Sequence, residues 1–226
     1  MTLGGLIISE NKGLLKKTIN YLRQLDIFDE IVCVADTDNG NDIEDSAKLA
    51  DKYLLKSFEA PERAIDDLCS LSTCDWQFRL DDDELVGENF LNIKSFLETA
   101  DKDNYWLPRM WSWKDSDHFL NCYHWYPDHQ IRLWRKGFLK AEAGVHMHPR
   151  GLGKSGTLPY HLIHLVLLQR SYDERLHRCR HHAQMMRIQF EHFLKGIGLF
   201  YLPEHTENLV ISENIEKKAG YSEDLR

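Results

Sequence analysis

The sequence predicts an α/β protein: a central, mostly parallel sheet flanked by helices, with a helical extension at the C-terminal side. Three observations lead there. Through residues 1–100, short apolar runs of strand character alternate with helix-spaced ones, the pattern of parallel strands joined by crossover helices. Over 101–168 the chain changes to extended, aromatic and β-branched segments. Residues 169–226 hold one long helical pattern and then a polar tail. The first two stretches read as parts of one domain, since 226 residues are enough for one sizeable core.

"LGGLIIS" is the first strand, and Leu14, Leu15, Ile19, Leu22 and Leu25 recur at helical spacing behind it, predicting an amphipathic helix over 12–25. "EIVCVAD" is a second strand ending on Asp36, followed by the turn "TDNGND" and a helix through Ile43, Ala47 and Ala50. A brief strand covers 53–56. In "APERAIDDLCSLS", Pro61 suits a first helical turn, and Ala64, Ile65, Leu68 and Leu71 line one face. "WQFRL" is the next strand, with a helix around 88–99 after it. "NYWLPRMWSW", "HQIRLWR" and "GFLKAEAGVHMH" read as mixed or antiparallel strands and loops. The clearest helix is "SYDERLHRCRHHAQMMRIQFEHFLKG". Ser171 and Glu174 form a capping-box signature, Tyr172, Leu176, Cys179, Ala183, Met186, Phe190 and Phe193 make an apolar stripe, and Gly196 ends it. The last ~20 residues read as loosely attached.

The net charge of −8 and pI near 5.8 argue against a nucleic-acid backbone as the main partner. No apolar run approaches the ~20 residues of a membrane-spanning helix, and "MTLGGLIISENKG" lacks the features of a signal peptide. A cytoplasmic location is expected. Cys33, Cys69, Cys74, Cys122 and Cys179 show no metal-binding spacing and read as reduced thiols.

The chemistry concentrates in "WQFRLDDDELV", where four acids follow a strand. Ligands bind at the C-terminal edge of the strands in open α/β sheets, which favours a site. In an extended segment alternate side chains share a face, so Asp81 and Asp83 are expected to converge while Asp82 points elsewhere. A hard divalent ion takes oxygen ligands of this kind and shares them with substrate phosphates. The competing reading is a solvated turn and helix start.

"STCDWQFRLDDDELV" resembles the "gDWIL-x-LDADE" segment of family 2 glycosyltransferases, nucleotide-sugar-dependent enzymes of the GT-A fold. "LIISENKGLLKKTINYL" resembles their first strand and helix, "DEIVCVADTDNGNDIEDSAKLADKY" their second strand, turn and helix, and "ERAIDDL" the helix before the acids. "WYPDHQIRLWRKG" resembles the "yPDxQxRLFRrG" segment of their lipopolysaccharide-core and related members. The likeness spans about residues 3–165. It implies a GT-A-like fold in which 1–100 is the nucleotide-sugar-binding half and 101–168 the acceptor side. It also implies that Glu10, Asp36, Arg63, Asp81 and Asp82 meet the nucleotide sugar, and that Asp83 binds Mn²⁺ or Mg²⁺ on the diphosphate. Departures are "SENK" after the first strand, Ala35 before Asp36, and a shortened Gln130-to-Arg132 spacing that argues against a processive synthase.

In "GVHMHPRGLGKSGTLPYHLIHL", His146 and His164 resemble the family's "VHE" histidine and its later histidine, so both are expected to complete the metal sphere. Buried structural histidines are the alternative for His161 and His164. Met147 stands where the family has a glutamate. A base is required to deprotonate the acceptor hydroxyl in an inverting transfer; Asp128 is preferred and Glu142 is second. Trp111, Trp113, Trp125 and Tyr126 are suited to stack on sugars or to fill a core. Arg175, Arg178, Arg180 and Arg187, with His177, His181 and His182, are suited to a phosphorylated acceptor, although a solvated helix face is the favoured reading.

The expectation is therefore a metal-dependent, inverting, non-processive glycosyltransferase moving a sugar, foremost from a UDP-sugar, to a glycan, lipid-linked or small-molecule acceptor. The alternatives are a metal-dependent phosphoesterase or nuclease, and a catalytically silent nucleotide-sugar-binding module.

Overall fold

A computed structural model describes residues 1–38, 42–58, 60–142 and 149–220, leaving aside the side chain of Ile197. The first half follows the sequence expectation closely. Strand β1 (Leu3–Ser9) leads into α1 (Lys12–Gln24), β2 (Glu30–Asp36), α2 (Glu44–Ala47) and β3 (Lys52–Lys56). A 3₁₀ turn at Pro61–Ala64 opens α3 (Ile65–Leu71), and β4 is Trp76–Arg79. These strands pair in parallel in the order β3-β2-β1-β4.

Both faces of this half-sheet are covered, which is why β1 and β2 read as continuous apolar runs instead of alternating ones. Leu3, Ile7, Cys33 and Ala35 pack on the α1 side with Leu15, Ile19 and Leu22. Leu6, Ile8, Val32 and Val34 pack on the α3 side with Ile65 and Leu68. Helix α1 begins at Asn11, whose side chain accepts from the N–H groups of Gly13 (2.9 Å) and Leu14 (3.0 Å), satisfying two of its orphan donors. A Cβ at Gly5 would stand 3.1 Å from Leu22, so the glycine sets how closely α1 seats on the strand.

The second half is mixed. It contains β5 (Glu84–Val86), α4 (Ile93–Leu97), β6 (Asn104–Trp111), β7 (His118–Leu120), β8 (Asp128–Arg135), β9 (Leu139–Lys140), β10 (Arg150–Gly151), β11 (Ser155–Thr157) and β12 (Leu162–His164). The main sheet continues as β4-β8-β6-β12-β5, with β11 beside β6. Strand β8 is antiparallel to both β4 and β6, and β12 is parallel to β6 and antiparallel to β5. The result is a nine-stranded, mostly parallel sheet with flanking helices, the fold class the sequence predicts. Among the described residues no helix is long and apolar enough to cross a membrane.

The C-terminal part departs from expectation twice. After α5 (Val166–Gln169), the single helix expected over the stripe is two: α6 (Tyr172–Met185) and α7 (Phe190–Leu194). The chain turns between them, with Arg187 at φ 54°. Breaking there folds Phe193 back onto Cys179 and Ala183 in a local core with Leu202. The capping box of Ser171 and Glu174 is present. The polar tail is tied down as far as residue 220: β13 (Ile211–Glu213) pairs with β7, Lys218 bridges to Gly87, and Ala219 is buried.

Candidate functional site

A cavity of about 1030 Å³ opens where β1 and β4 end, between that sheet edge and helix α6. Its floor is the acid cluster. The β1–β4 register brings Leu6 opposite Arg79, so Ser9 and Asp81–Asp83 emerge at one edge. The acids do not continue as a strand. Residues 82–83 form a turn closed by Glu84 N–H donating to the Asp81 carbonyl (3.1 Å), and each carboxylate meets a different environment. The alternation expected of Asp81, Asp82 and Asp83 is thus replaced: all three line the cavity.

Asp81 is locked by arginines. It accepts from Arg79 Nε (2.9 Å) and Nη2 (2.6 Å), and from Arg132 Nη2 (2.5 Å). Burial alone would raise its pKa, but the charges of Arg132, Arg79 and Arg109 outweigh that and hold it well below the usual carboxylate range. Asp82 takes a hydrogen bond from Ser9 Oγ; burial and the neighbouring Asp83 charge push its pKa up. Asp83 Oδ1 lies 3.2 Å from His164 Nε2. Burial opposes its ionisation, and His164 overcomes this and holds the carboxyl down.

The antiparallel strand β8 supplies what the sequence reading did not assign. Arg132, 3% exposed at its side chain, bonds Glu84 Oε1 at 2.7 Å, and Arg109 on β6 reaches the same Glu84 oxygen at 3.0 Å. Glu84 is fully buried, a structural counterion instead of a turn-surface acid. The sequence signal was present in "QIRLWR", where Arg132 sits inside an otherwise apolar strand. A buried arginine requires a buried acid.

Asp128, the first residue of β8, lines the cavity. Its Oδ2 accepts from Arg109 Nε (2.8 Å) and Nη2 (2.6 Å) and from Trp111 Nε1 (2.9 Å), while Oδ1 accepts from Gln130 (2.7 Å). Burial is outweighed by Arg109 and these donors, so its pKa is lowered. Glu142 is not brought to the cavity. It pairs with Arg150 at 3.4 Å, partly exposed beyond β9.

Glu10 lines the cavity mouth with Ser9 and Asn11. Asp36 is buried at the end of β2, beside the end of β1, where it accepts from the Asp38 N–H (3.0 Å). Arg63 is exposed in the 3₁₀ turn whose Pro61 and Glu62 line the cavity. Both stand at the expected sheet edge, but neither is among the described lining residues. His164 is buried with its Nδ1 unpartnered, edge-on to Trp111 (centroids 4.2 Å apart). His146 lies outside the described residues. Among those described no set of three metal-capable side chains converges. Asp83 and His164 form a pair of O and N donors that suits a hard divalent ion completed by ligand oxygens. His161 is structural: its Nδ1 is 2.7 Å from Glu216 and its Nε2 3.1 Å from the Tyr126 hydroxyl. Trp111 lines the cavity, whereas Trp125 is core.

Helix α6 forms the opposite wall. His177, Arg178, His181 and His182 line the cavity with Arg170 and Asp173. Part of the face read as solvated thus lines the cavity, with His177 and His181 exposed there and Arg180 exposed away from it, while Arg175 is buried and ion-paired with Glu204 at 2.5 Å.

No protein-family model and no curated protein sequence matches this chain. Solved structures resemble it at low identity. Staphylococcus aureus TarS residues 1–349 align over 91% of this chain and 72% of that one, with 12% identity and a TM-score of 0.47. The bifunctional IspDF from Campylobacter jejuni aligns over 70% and 49%, with 12% identity and a TM-score of 0.46. A CMP:2-keto-3-deoxy-manno-octonic acid synthetase complexed with CTP aligns over 60% and 75%, with 10% identity and a TM-score of 0.40. Likeness this slight carries no inference about the present chain.

Proposed function

We propose that the chain is a glycosyltransferase that moves a sugar from a nucleoside diphosphate, with a UDP-sugar the first donor to test, onto a glycan, lipid-linked or small-molecule acceptor. One observation carries the reading: the large cavity at the sheet edge has Asp82, Asp83 and His164 on its floor and the basic residues of α6 opposite. A diphosphate leaving group needs positive charge on it as the glycosidic bond breaks. Asp83 and His164 would hold Mn²⁺ or Mg²⁺, with His146 the proposed third protein ligand, and the ion would supply Lewis-acid stabilisation of that charge. Glu10, Asp36, Arg63, Asp81 and Asp82 are proposed around the nucleotide sugar. In Asp81 the role is indirect, since Arg79 and Arg132 occupy its oxygens.

Asp128 is the proposed base. Oδ2 is fixed by three donors, and Oδ1, with Gln130 alone, has a lone pair for an acceptor hydroxyl. A carboxylate held below its usual pKa is a weak base. Its part comes late, as bonding to the anomeric carbon makes the hydroxyl acidic. The inverting course rests on this single-displacement arrangement.

Thermal unfolding with UDP, GDP and their sugar conjugates, with and without Mn²⁺, tests the reading. Saturation at a hundredfold excess over Kd adds about 2.7 kcal/mol of stability. A metal-dependent rise that Asp83→Ala removes is the expected result. No rise with any sugar nucleotide sinks the proposal, and phosphoester hydrolysis without one favours a phosphoesterase. Donor-dependent stabilisation without turnover on any acceptor identifies a silent binding module.

A further inference from the structure

The basic face of α6 is divided in its use. Arg175 is committed: its guanidinium bonds both Glu204 oxygens (2.5 and 3.1 Å) and the Tyr201 carbonyl (2.6 Å). On the floor, Arg79, Arg109 and Arg132 are each fixed to a carboxylate, the last two to a pair. Arg178, one turn beyond Arg175, is different. It lines the cavity, rests with its guanidinium carbon 5.7 Å from the Tyr201 ring centroid, and closes no ion pair among the described residues. Its Nε is buried without a hydrogen-bond partner. Burial disfavours its charge, yet Tyr201, Asp83, Glu10 and Asp82 together more than restore it.

A guanidinium with an unsatisfied buried N–H, held by a ring and aimed at a cavity, is prepared for a planar or tetrahedral oxyanion, since its fork matches two phosphate oxygens at once. Arg178 and Asp83 line the same cavity from α6 and from the floor, so an anion beside Arg178 lies between the helix and the acid cluster. We infer that Arg178 grips the terminal phosphate of the nucleoside diphosphate, so that the site distinguishes diphosphate from monophosphate by α6 as well as by the floor. This rests on the transferase reading. It adds that the diphosphate preference persists in part when metal is removed.

Calorimetric titration of the full chain tests it, using UDP, GDP, ADP and CDP, the corresponding monophosphates, and inorganic pyrophosphate, in EDTA and in Mn²⁺. Losing a charge-assisted fork corresponds to about 10- to 100-fold in affinity. Arg178→Gln is expected to lose that much for the diphosphate the wild type binds, and for pyrophosphate, while monophosphate affinity stays within about twofold. Arg178→Lys, which keeps the charge but not the fork, is expected in between and decides the matter if the glutamine variant does not fold. Arg180→Gln, whose side chain rests over Phe190 outside the cavity, is expected to behave as wild type. A diphosphate preference that both Arg178 variants retain overturns the inference and leaves the transferase reading standing. A wild type that binds none of the diphosphates overturns both. Equal loss of mono- and diphosphate also overturns it, since that places Arg178 on the inner phosphate or the acceptor.

Discussion

Arg132 carries more of the site's architecture than any of the aspartates. Its side chain is 3% exposed and joins Asp81 (2.5 Å) to the fully buried Glu84 (2.7 Å), with Arg109 completing the chain to Asp128. Arg132→Met leaves Glu84 with one arginine in place of two, and removing one partner of a buried ion pair costs about 3–5 kcal/mol. Urea unfolding checks this; a loss below about 1 kcal/mol means Arg79 and Arg109 re-close the network. The sequence singled out the acids, which do line one cavity, but not the different partner that each of them meets. Alternation is a rule for extended backbone, whereas residues 82–83 turn, and the partners that distinguish Asp81 from Asp83 arrive from β8 and β12, far along the chain. Glu30 offers a second test away from the site. It accepts from the Thr73 N–H (2.9 Å) and hydroxyl (3.0 Å) and pairs with Lys52 (2.5 Å). Burial opposes its ionisation, and these partners still bring its pKa down to about 2. A carboxyl depressed on folding stabilises above its unfolded pKa and loses that contribution as pH falls towards the folded value. Stability is therefore expected to decline between roughly pH 5 and pH 2, and Glu30→Gln to flatten the decline by about 1–2 kcal/mol after screening at the surface.

At the scale of elements, β1, β2 and β4 were legible because they are buried along their whole length, and apolar runs of that kind are too short to be helices. Helix α6 was legible at its start, where Ser171 and Glu174 cap each other, and illegible at its end. The stripe from Tyr172 to Phe193 satisfies helical spacing whether or not the chain turns in between, and no glycine or proline marks Arg187. The turn itself yields a prediction whose sign separates the two arrangements. Arg187 sits at φ 54°, a left-handed conformation that costs an L-residue about 1–2 kcal/mol. Arg187→Gly is expected to raise stability by up to about 1 kcal/mol, whereas glycine within a continuous helix would lower it by about that amount. The midpoint of chemical denaturation reads the sign directly. The break also explains how the basic face of α6 came to look inward. With α7 folded back, Phe193 and Leu202 cover Cys179 and Ala183, leaving His177, Arg178 and His181 to the cavity.

For the molecule as a whole, local pattern predicted the parallel half but not the insertion of β8 between β4 and β6, because the β4–β8 pairing joins residues more than fifty apart. The same holds for the C-terminal segment, which composition made to look loose. Glu216 reaches across the sheet edge to His161 Nδ1 (2.7 Å), whose Nε2 meets the Tyr126 hydroxyl (3.1 Å), and the pair is almost wholly buried. Gly87 makes the crossing possible: a Cβ there would stand 2.0 Å from Glu216 Oε2. Glu216 thus fastens residues 211–220, whose β13 pairs with β7, to His161, the residue before the strand that ends on His164. Removing it by Glu216→Ala leaves a buried imidazole without its carboxylate and opens a cavity under Gly87, at an expected cost of about 2–4 kcal/mol. Gly87→Ala is expected to cost as much by expelling the same carboxylate, and the double variant no more than either alone, since both break one contact. Urea unfolding of the three variants checks it. A change within about 0.5 kcal/mol for Glu216→Ala would mean the segment is only laid on the surface, and additive losses would mean that Gly87 and Glu216 act separately.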